Sequence, residues 1–250
     1  MPKLEDITDP TKFAICEPGI NANVSILFHR SFIGLQKPAF TYFAPMFTAG
    51  DFASSISDVR NNLVEQVLDK GCEWMLWIDT DQVYYDPNMI AKMMAHDKDV
   101  VTARVHKRWP PFDHLLLRSE DPNSIAEPGT NHKYNLISDE EASSGKLIEI
   151  DATGVCACSL MKVDVFIDML YPWFETFKPG DGIERTIGED INLCAKLKSA
   201  GYKIYADTSI EVKHLTTLQV DYTYYKSFQF LNEVGSHEKK LNMEKGNGIE

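Results

Sequence analysis

Two acidic pairs carry most of the chemical information in this 250-residue chain. Asp79-Thr80-Asp81 follows directly on the apolar run Glu73–Ile78 (EWMLWI). Two carboxylates one residue apart at the end of a strand can share a hard divalent cation, directly or through water. Bound together with a diphosphate, such a cation neutralises charge developing on a leaving phosphate. An Asp-rich turn or a set of helix caps uses the same residue types. The buried strand in front of the pair favours the ligand reading. The second pair is Glu189-Asp190 after Gly188. Asp190, Leu193, Cys194 and Leu197 fall at i, i+3, i+4 and i+7, so Asp190 lies on the apolar stripe of a helix, at its N-terminus. The helix dipole accounts for an acid in the first turn but not for its inward place. A carboxylate there lines a cleft or has a partner.

Arg60 falls on the helical wheel inside the arc of Ile56, Val59, Leu63 and Val67. A guanidinium on a core-facing stripe needs an anion, either a ligand phosphate or a protein carboxylate such as Asp58 or Asp81. Asn61 and Asn62 lie off that stripe and read as solvent-facing. His214 follows the last strand, and only together with Asp79 and Asp81 does it become a third metal ligand. Arg104, His106, Lys107, Arg108 and Trp109 form a run that steers anions or belongs to a solvated loop. Tyr171-Pro172-Trp173-Phe174 offers aromatic faces that suit a sugar ring or a core.

The elements that must position these groups alternate between strand and helix. Phe13 lies in a short apolar run, Lys12–Glu17, that ends at a Pro18-Gly19 turn. Helical spacing is expected over Asn23–Leu35, Asp51–Lys70, from Pro87 to about His96, over Asp164–Leu170 and over Gly188–Ala200. Strand character is expected over Ala39–Phe47, Glu73–Ile78, Lys98–Val105, Lys146–Asp151, Cys156–Lys162, Tyr202–Ala206 and Ile210–Lys213. Asp221–Val234 is aromatic-rich, with Tyr222, Tyr224, Tyr225 and Phe228. Pro110–Gly145 is polar, Pro-rich and aperiodic, and reads as a long excursion able to act as a lid. The pattern predicts an α/β fold with a mixed central sheet flanked by helices. Sites in such sheets lie beyond the carboxyl ends of the strands, where Asp79 and Asp81 fall. One catalytic domain is expected over 1–235, with a polar tail over 236–250.

Composition narrows the functions. The net charge of −12 and pI near 5.0 argue against broad, non-specific nucleic-acid binding. They suit a protein that holds cations with carboxylates. No apolar run approaches the ~20 residues of a membrane span. The N-terminus is acidic and polar, unlike a signal peptide. The five cysteines are odd in number, lack a C-x-x-C pair and mostly sit in apolar stretches, which indicates a reducing compartment and a cytoplasmic protein.

These motifs together resemble a nucleotide-sugar glycosyltransferase of the GT-A fold, a Rossmann-like architecture. The resemblance runs from about Phe13 to Leu215. It is carried by Val59-Arg60-Asn61, Trp77-Ile78-Asp79-Thr80-Asp81, Asp151-Ala152-Thr153-Gly154, Pro172-Trp173-Phe174, Gly188-Glu189-Asp190, Gly201-Tyr202 and His214. It is strongest to the short family-2-like transferases of phage and bacteria, which implies the host cytoplasm as the location if the chain is phage-encoded. The resemblance implies that Asp79, Asp81 and His214 hold Mn²⁺ or Mg²⁺ against the diphosphate of a nucleotide-diphosphate sugar. It implies that Asp190 takes the acceptor hydroxyl proton in an inverting reaction, with Glu189 in support. Arg60, the Pro18-Gly19 turn and Gly154 would border the donor. The acceptor would be a glycan, a small molecule or a modified DNA base. Glu17-Pro18-Gly19 departs from the usual first-turn pattern of the family. No Q-x-x-R-W segment is present, which points to transfer of single sugars.

Three other readings share some of these residues. Asp79-Thr80-Asp81-Gln82-Val83 matches the first motif of a haloacid-dehalogenase-like Mg²⁺-dependent phosphatase, although about 70 residues precede it and no later Lys motif follows. A sugar-nucleotidyltransferase would want a Gly-rich G-x-G-x-R loop near the N-terminus, which is absent. A non-catalytic sugar-nucleotide or glycan-binding module would not need the inward Asp190.

Overall fold

The structure is a computed structural model and describes residues 12–19, 24–38, 41–47, 55–121, 124, 126–130, 132–178, 186–217 and 220–231. The chain divides into two compact units, Met1–Leu215 and Thr216–Glu250. The single domain expected over 1–235 crosses that division, and the tail expected over 236–250 lies outside the described residues.

The first unit is built on an eight-stranded mixed sheet in the order β2-β1-β3-β9-β5-β10-β4, with β8 also paired to β10. The strands are β1 (Phe13–Gly19), β2 (Tyr42–Phe47), β3 (Trp74–Ile78), β4 (Gln82–Tyr84), β5 (Val100–Val105), β8 (Leu147–Ile150), β9 (Cys158–Lys162) and β10 (Ile204–His214). A separate two-stranded sheet joins β6 (Leu117–Ser119) to β7 (Tyr134–Leu136). The helices are α1 (Ile26–Gly34), α2 (Ile56–Asp69), α3 (Met89–Ala95), α4 (Asp139–Ala142), α5 (Asp164–Ile167) and α6 (Glu189–Ser199).

The central position of β3 explains its continuous apolar sequence. It pairs in parallel with β1 and antiparallel with β9, and all five of its residues are buried. Successive side chains alternate between faces. Trp74, Leu76 and Ile78 join one core with Phe28 of α1 and Met89, Ile90, Met93 and Met94 of α3. Met75 and Trp77 join a second core with Val59, Leu63, Val64 and Val67 of α2 and Leu193, Cys194 and Leu197 of α6. The helices that carry Arg60 and Asp190 therefore cover the same face of the sheet. A capping box fixes the start of α2, with Ser55 accepting from the Asp58 N–H and Asp58 accepting from the Ser55 N–H.

Several elements differ from expectation. Pro18 and Gly19 do not form a turn. They continue β1, in register with Met46 and Phe47 of β2. Among the described residues pairing with β3 stops at Cys16, and a proline costs little where no ladder hydrogen bond is needed. Tyr202–Ala206 and Ile210–Lys213 belong to one strand, β10, whose register against β5 shifts between Asp207 and Glu211. The Asp207 carboxylate accepts from the Ser209 N–H and Oγ, and this local bonding breaks the apolar alternation that a sequence pattern relies on. The three-residue β4 is too short to show a period. The 110–145 excursion is anchored to the body. Leu116 and Ile137 enter the core, Leu117 bridges to Ala152, and Arg118 binds Glu141 through two nitrogens at 2.7 and 2.9 Å.

In the second unit a helix covers 222–231. Asp221 caps it, accepting from the Tyr224 N–H at 2.8 Å. Tyr222, Tyr224, Tyr225 and Phe228 all lie on this helix.

Candidate active site

The site is assembled where β3 ends. The chain leaves Ile78, turns through Asp79-Thr80-Asp81 and returns as β4. Tyr84 fixes the turn by donating to the Asp79 carbonyl at 3.1 Å. β4 pairs antiparallel with the last residues of β10, with His214 opposite Gln82. The Leu215 N–H donates to the Asp81 carbonyl at 2.7 Å. This pairing carries a histidine from 133 residues away to the side of Asp81, with His214 Nε2 3.2 Å from Asp81 Oδ2. The other ring nitrogen, Nδ1, lies 2.8 Å from the His106 carbonyl, which can only accept, so it carries a proton. Arg108 Nη1 reaches the same Asp81 oxygen at 2.5 Å, and its guanidinium lies over Trp109.

Asp79 faces the other way, towards α2 and α6. Its Oδ1 is 3.8 Å from Arg60 Nη2. Arg60 Nη1 donates to Glu189 Oε1 at 2.7 Å and to Asp190 Oδ1 at 3.0 Å. Asp190 Oδ1 also accepts from the Cys156 N–H at 3.2 Å. Arg60 is 5% exposed, so three carboxylates gather around one buried cation. Glu189 and Asp190 also lie in the first turn of α6, whose Gly188 cap offers no side chain, so their charge complements the free N–H groups there.

The electrostatics of the two clusters differ. Burial pushes the Asp79 carboxyl up to about 7; the charges of Asp190 and Asp81 add to this, and Arg60 only partly offsets it. Burial also raises Asp81, but the hydrogen bond to His214 and the charges of His214 and Arg108 outweigh it and hold the group below the usual carboxylate value. His214 is raised: burial lowers it, and the bond to Asp81 more than compensates. Burial works against the charge on Arg60, yet Asp190, Asp79 and Glu189 hold it well above the ordinary arginine value.

Among the described residues, no three His, Cys, Asp or Glu side chains converge as a preformed metal site. Asp81 and His214 meet, while Asp79 turns to Arg60. The donor chemistry nonetheless fits a divalent cation. Two carboxylates and an imidazole suit Mn²⁺ or Mg²⁺, and Asp81 already pairs with the Arg108 guanidinium.

Other expected residues fall elsewhere. The nearest atom that a Cβ at Gly154 would meet is Leu115 Cδ1, at 3.0 Å, so the close approach there is to a leucine. Arg104 and Lys107 are tied locally, to the Ala142 carbonyl and to Asp113. Trp173 and Phe174 are core residues, and the Trp173 indole donates to the Phe166 carbonyl at 2.7 Å.

Two asparagines matter more than the sequence suggested. Asn61 is buried rather than solvent-facing and clamps the Phe174 backbone, donating to its carbonyl at 2.8 Å and accepting from its N–H at 2.9 Å. This places the Phe174 ring 5.8 Å from the Arg60 guanidinium. Asn192, also buried, accepts from the Gly129 N–H and donates to the Glu175 carbonyl. Each sits within two residues of a charged site residue, which is the signal that could have found them.

A family model described as Anp1 matches residues 53–152, which include α2, the Asp79–Asp81 turn and Arg108. The mannan polymerase complex subunit MNN9 of Candida albicans (strain SC5314 / ATCC MYA-2876) is 36% identical over 56 residues, 22% of this chain and 15% of that protein. The match thus spans well under two thirds of that relative. Among solved structures, A197 from STIV superposes with a TM-score of 0.52 at 13% identity, covering 82% of this chain and 86% of that one. GalNAc-T7 with UDP, GalNAc and Mn²⁺ superposes at 0.54 and 9% identity, covering 85% of this chain and 45% of that one. None of these points to a modified-DNA acceptor. Among the described residues no helix is long and apolar enough to cross a membrane. The chain has the GT-A glycosyltransferase fold.

Proposed function

We infer that this protein moves a single sugar from a nucleotide-diphosphate sugar to a hydroxyl of a glycan or small-molecule acceptor. The observation that carries the reading is the facing of two acidic pairs at one sheet edge. The Asp79–Asp81 turn ends β3, the Glu189–Asp190 pair opens α6, and Arg60 lies between Asp79 and the α6 pair. The solved neighbour holding UDP, GalNAc and Mn²⁺ supports a nucleotide-sugar donor and a metal.

Asp79, Asp81 and His214 would hold the cation. When bound, it supplies positive charge for the departing diphosphate. Asp190 accepts the acceptor hydroxyl proton as the acceptor oxygen bonds to the anomeric carbon. The bond from that carbon to the diphosphate breaks, and its electron pair leaves with the nucleoside diphosphate. Attack opposite the leaving group inverts the anomeric centre. Among the described residues the bonds from Arg60 and from the Cys156 N–H both fall on Oδ1 of Asp190, and the Cys156 thiol also bonds to this carboxylate.

The test is a thermal-shift screen of UDP-, GDP-, TDP- and CMP-linked sugars with and without Mn²⁺, on the wild type and Asp81→Ala. A ligand of the native state raises the melting temperature by mass action. One nucleotide class should give a Mn²⁺-dependent shift that Asp81→Ala abolishes. Product from that donor should carry the inverted anomeric configuration by NMR. No shift with any nucleotide would overturn the donor reading, and a retained configuration would remove Asp190 as the base.

A further inference from the structure

We propose that Arg60 is a positioning residue, not a donor ligand: it fixes Asp190 through one carboxylate oxygen so that the other is presented to the acceptor hydroxyl. The inference rests on the function proposed above and deepens the account of the same site.

The sequence allowed Arg60 either a ligand phosphate or a protein carboxylate, and the geometry favours the second. Nη1 is already shared by Glu189 and Asp190 at 2.7 and 3.0 Å. Nε is buried away from solvent and bonds to no protein atom, so a ligand in the cleft does not reach it. Nη2 faces Asp79 at 3.8 Å. The guanidinium is itself held from behind. The capping box sets the start of α2, the Asn61 clamp fixes Phe174, and the Phe174 ring lies beneath the cation.

The consequence falls on Asp190. A carboxylate at the mouth of a cleft rotates freely unless something distinguishes its two oxygens. Here Oδ1 receives one donor from α2 and a second from the Cys156 backbone, ahead of β9. Among the described residues two donors from separate elements converge on one oxygen and fix the plane of the group, and neither of them bonds to Oδ2; the Cys156 thiol also bonds to this carboxylate. An arginine suits this task better than a lysine, because its rigid fork serves two acids from a fixed plane while an ammonium is a rotatable point charge.

The experiment uses the full chain as wild type, Arg60→Gln, Arg60→Lys, Asp190→Asn and the Arg60→Gln/Asp190→Asn double variant. Turnover is read as nucleoside diphosphate released from UDP- and GDP-linked hexoses with Mn²⁺, and binding as calorimetric titration of UDP and GDP. A general base contributes on the order of 10²–10⁴-fold, so Arg60→Gln should lose on the order of 10²-fold in kcat. Its nucleotide affinity should stay within about twofold of the wild type, because the lost interaction serves the chemical step. The double variant should be no slower than Asp190→Asn, the non-additivity of two residues acting as one unit. Arg60→Lys should restore part of the rate. Nucleotide binding that weakens in step with kcat would make Arg60 a donor ligand and overturn the proposal. Losses that multiply in the double variant would do the same.

A crystal structure of Arg60→Lys supplies a readout that needs no turnover and a variant that keeps the buried charge should Arg60→Gln fail to fold. The Asp190 carboxylate should rotate part of the way out of its wild-type plane while α6 stays in place, in keeping with a partial rate. An unmoved Asp190 would overturn the positioning role. A wild type inert towards every nucleotide sugar would overturn the proposed function instead, and the crystallographic comparison separates the two failures.

Discussion

Arg60 and Arg108 both serve acids at the edge of the same sheet, and they do so under opposite conditions. Arg60 is 5% exposed and faces Asp79, Glu189 and Asp190, whereas the Arg108 side chain is 47% exposed and meets Asp81, with His214 beside it. Around Arg60 negative charge exceeds positive charge inside the protein, so the cation has no alternative to its place. Around Asp81 a guanidinium and an imidazole share one carboxylate near solvent, so a cation can compete for it. Burial, more than pair geometry, separates a fixed frame from an adjustable binding edge. Substitutions on the two sides should therefore differ sharply in what they cost.

The largest effect is expected at Arg60. Removing one partner of a buried ion pair typically costs about 3–5 kcal/mol, because the remaining charge is left desolvated. Arg60→Met leaves three acids without their cation, so urea unfolding should show a loss in that range. A loss below about 1 kcal/mol would mean that the acids find solvent when Arg60 is gone, as surface pairs do.

Asp79 stands between the two clusters and should give the next largest effect. Its native value of about 7 lies above the ordinary 3.8, so the folded state binds a proton that the unfolded state has released. Stability from this group is complete below the unfolded value and is lost as pH rises through the native one. Asp79→Asn removes that loss. In metal-free buffer the variant should melt above the wild type at pH 8, by a few kcal/mol at most, and the gap should close towards pH 5. A gap of the opposite sign at pH 8 would mean that attraction to Arg60 outweighs burial.

The same contrast explains what could be read from the sequence. The apolar run Trp74–Ile78 announced the central strand because it is buried on both faces, a condition imprinted residue by residue. The stripe positions of Arg60 and Asp190 announced that each needed a partner, because burial of charge is legible from helical spacing. That the two partner each other was not legible, since the pairing spans 130 residues and depends on α2 and α6 covering one face of the sheet. β4 was missed because three residues show no period, and with it went the pairing that sets His214 against Asp81. Asn61 was misplaced because a wheel angle at the margin of a stripe does not reveal a backbone clamp on Phe174. Pro18-Gly19 read as a turn because those residue types usually make one. Pairing with β2 runs on beyond Cys16, where pairing with β3 ends, and carries β1 through them.

The smallest stability effect is expected at Arg108, and it sharpens the comparison most. An exposed ion pair contributes about 0–1 kcal/mol, since solvent and salt screen it and both side chains lose freedom to form it. Arg108→Ala should therefore unfold within that margin of the wild type. Its effect should appear in cation binding instead. Asp81 Oδ2 accepts from Arg108 Nη1 at 2.5 Å, so a divalent cation bound there competes with the guanidinium for that oxygen and is also repelled by its charge. Removing the side chain lifts both obstacles, and Mn²⁺ titrated without nucleotide should bind more tightly by electron paramagnetic resonance. Weaker Mn²⁺ binding in Arg108→Ala would show that Arg108 holds Asp81 in place for the cation, and the adjustable side of the comparison would then be as much a frame as the buried one.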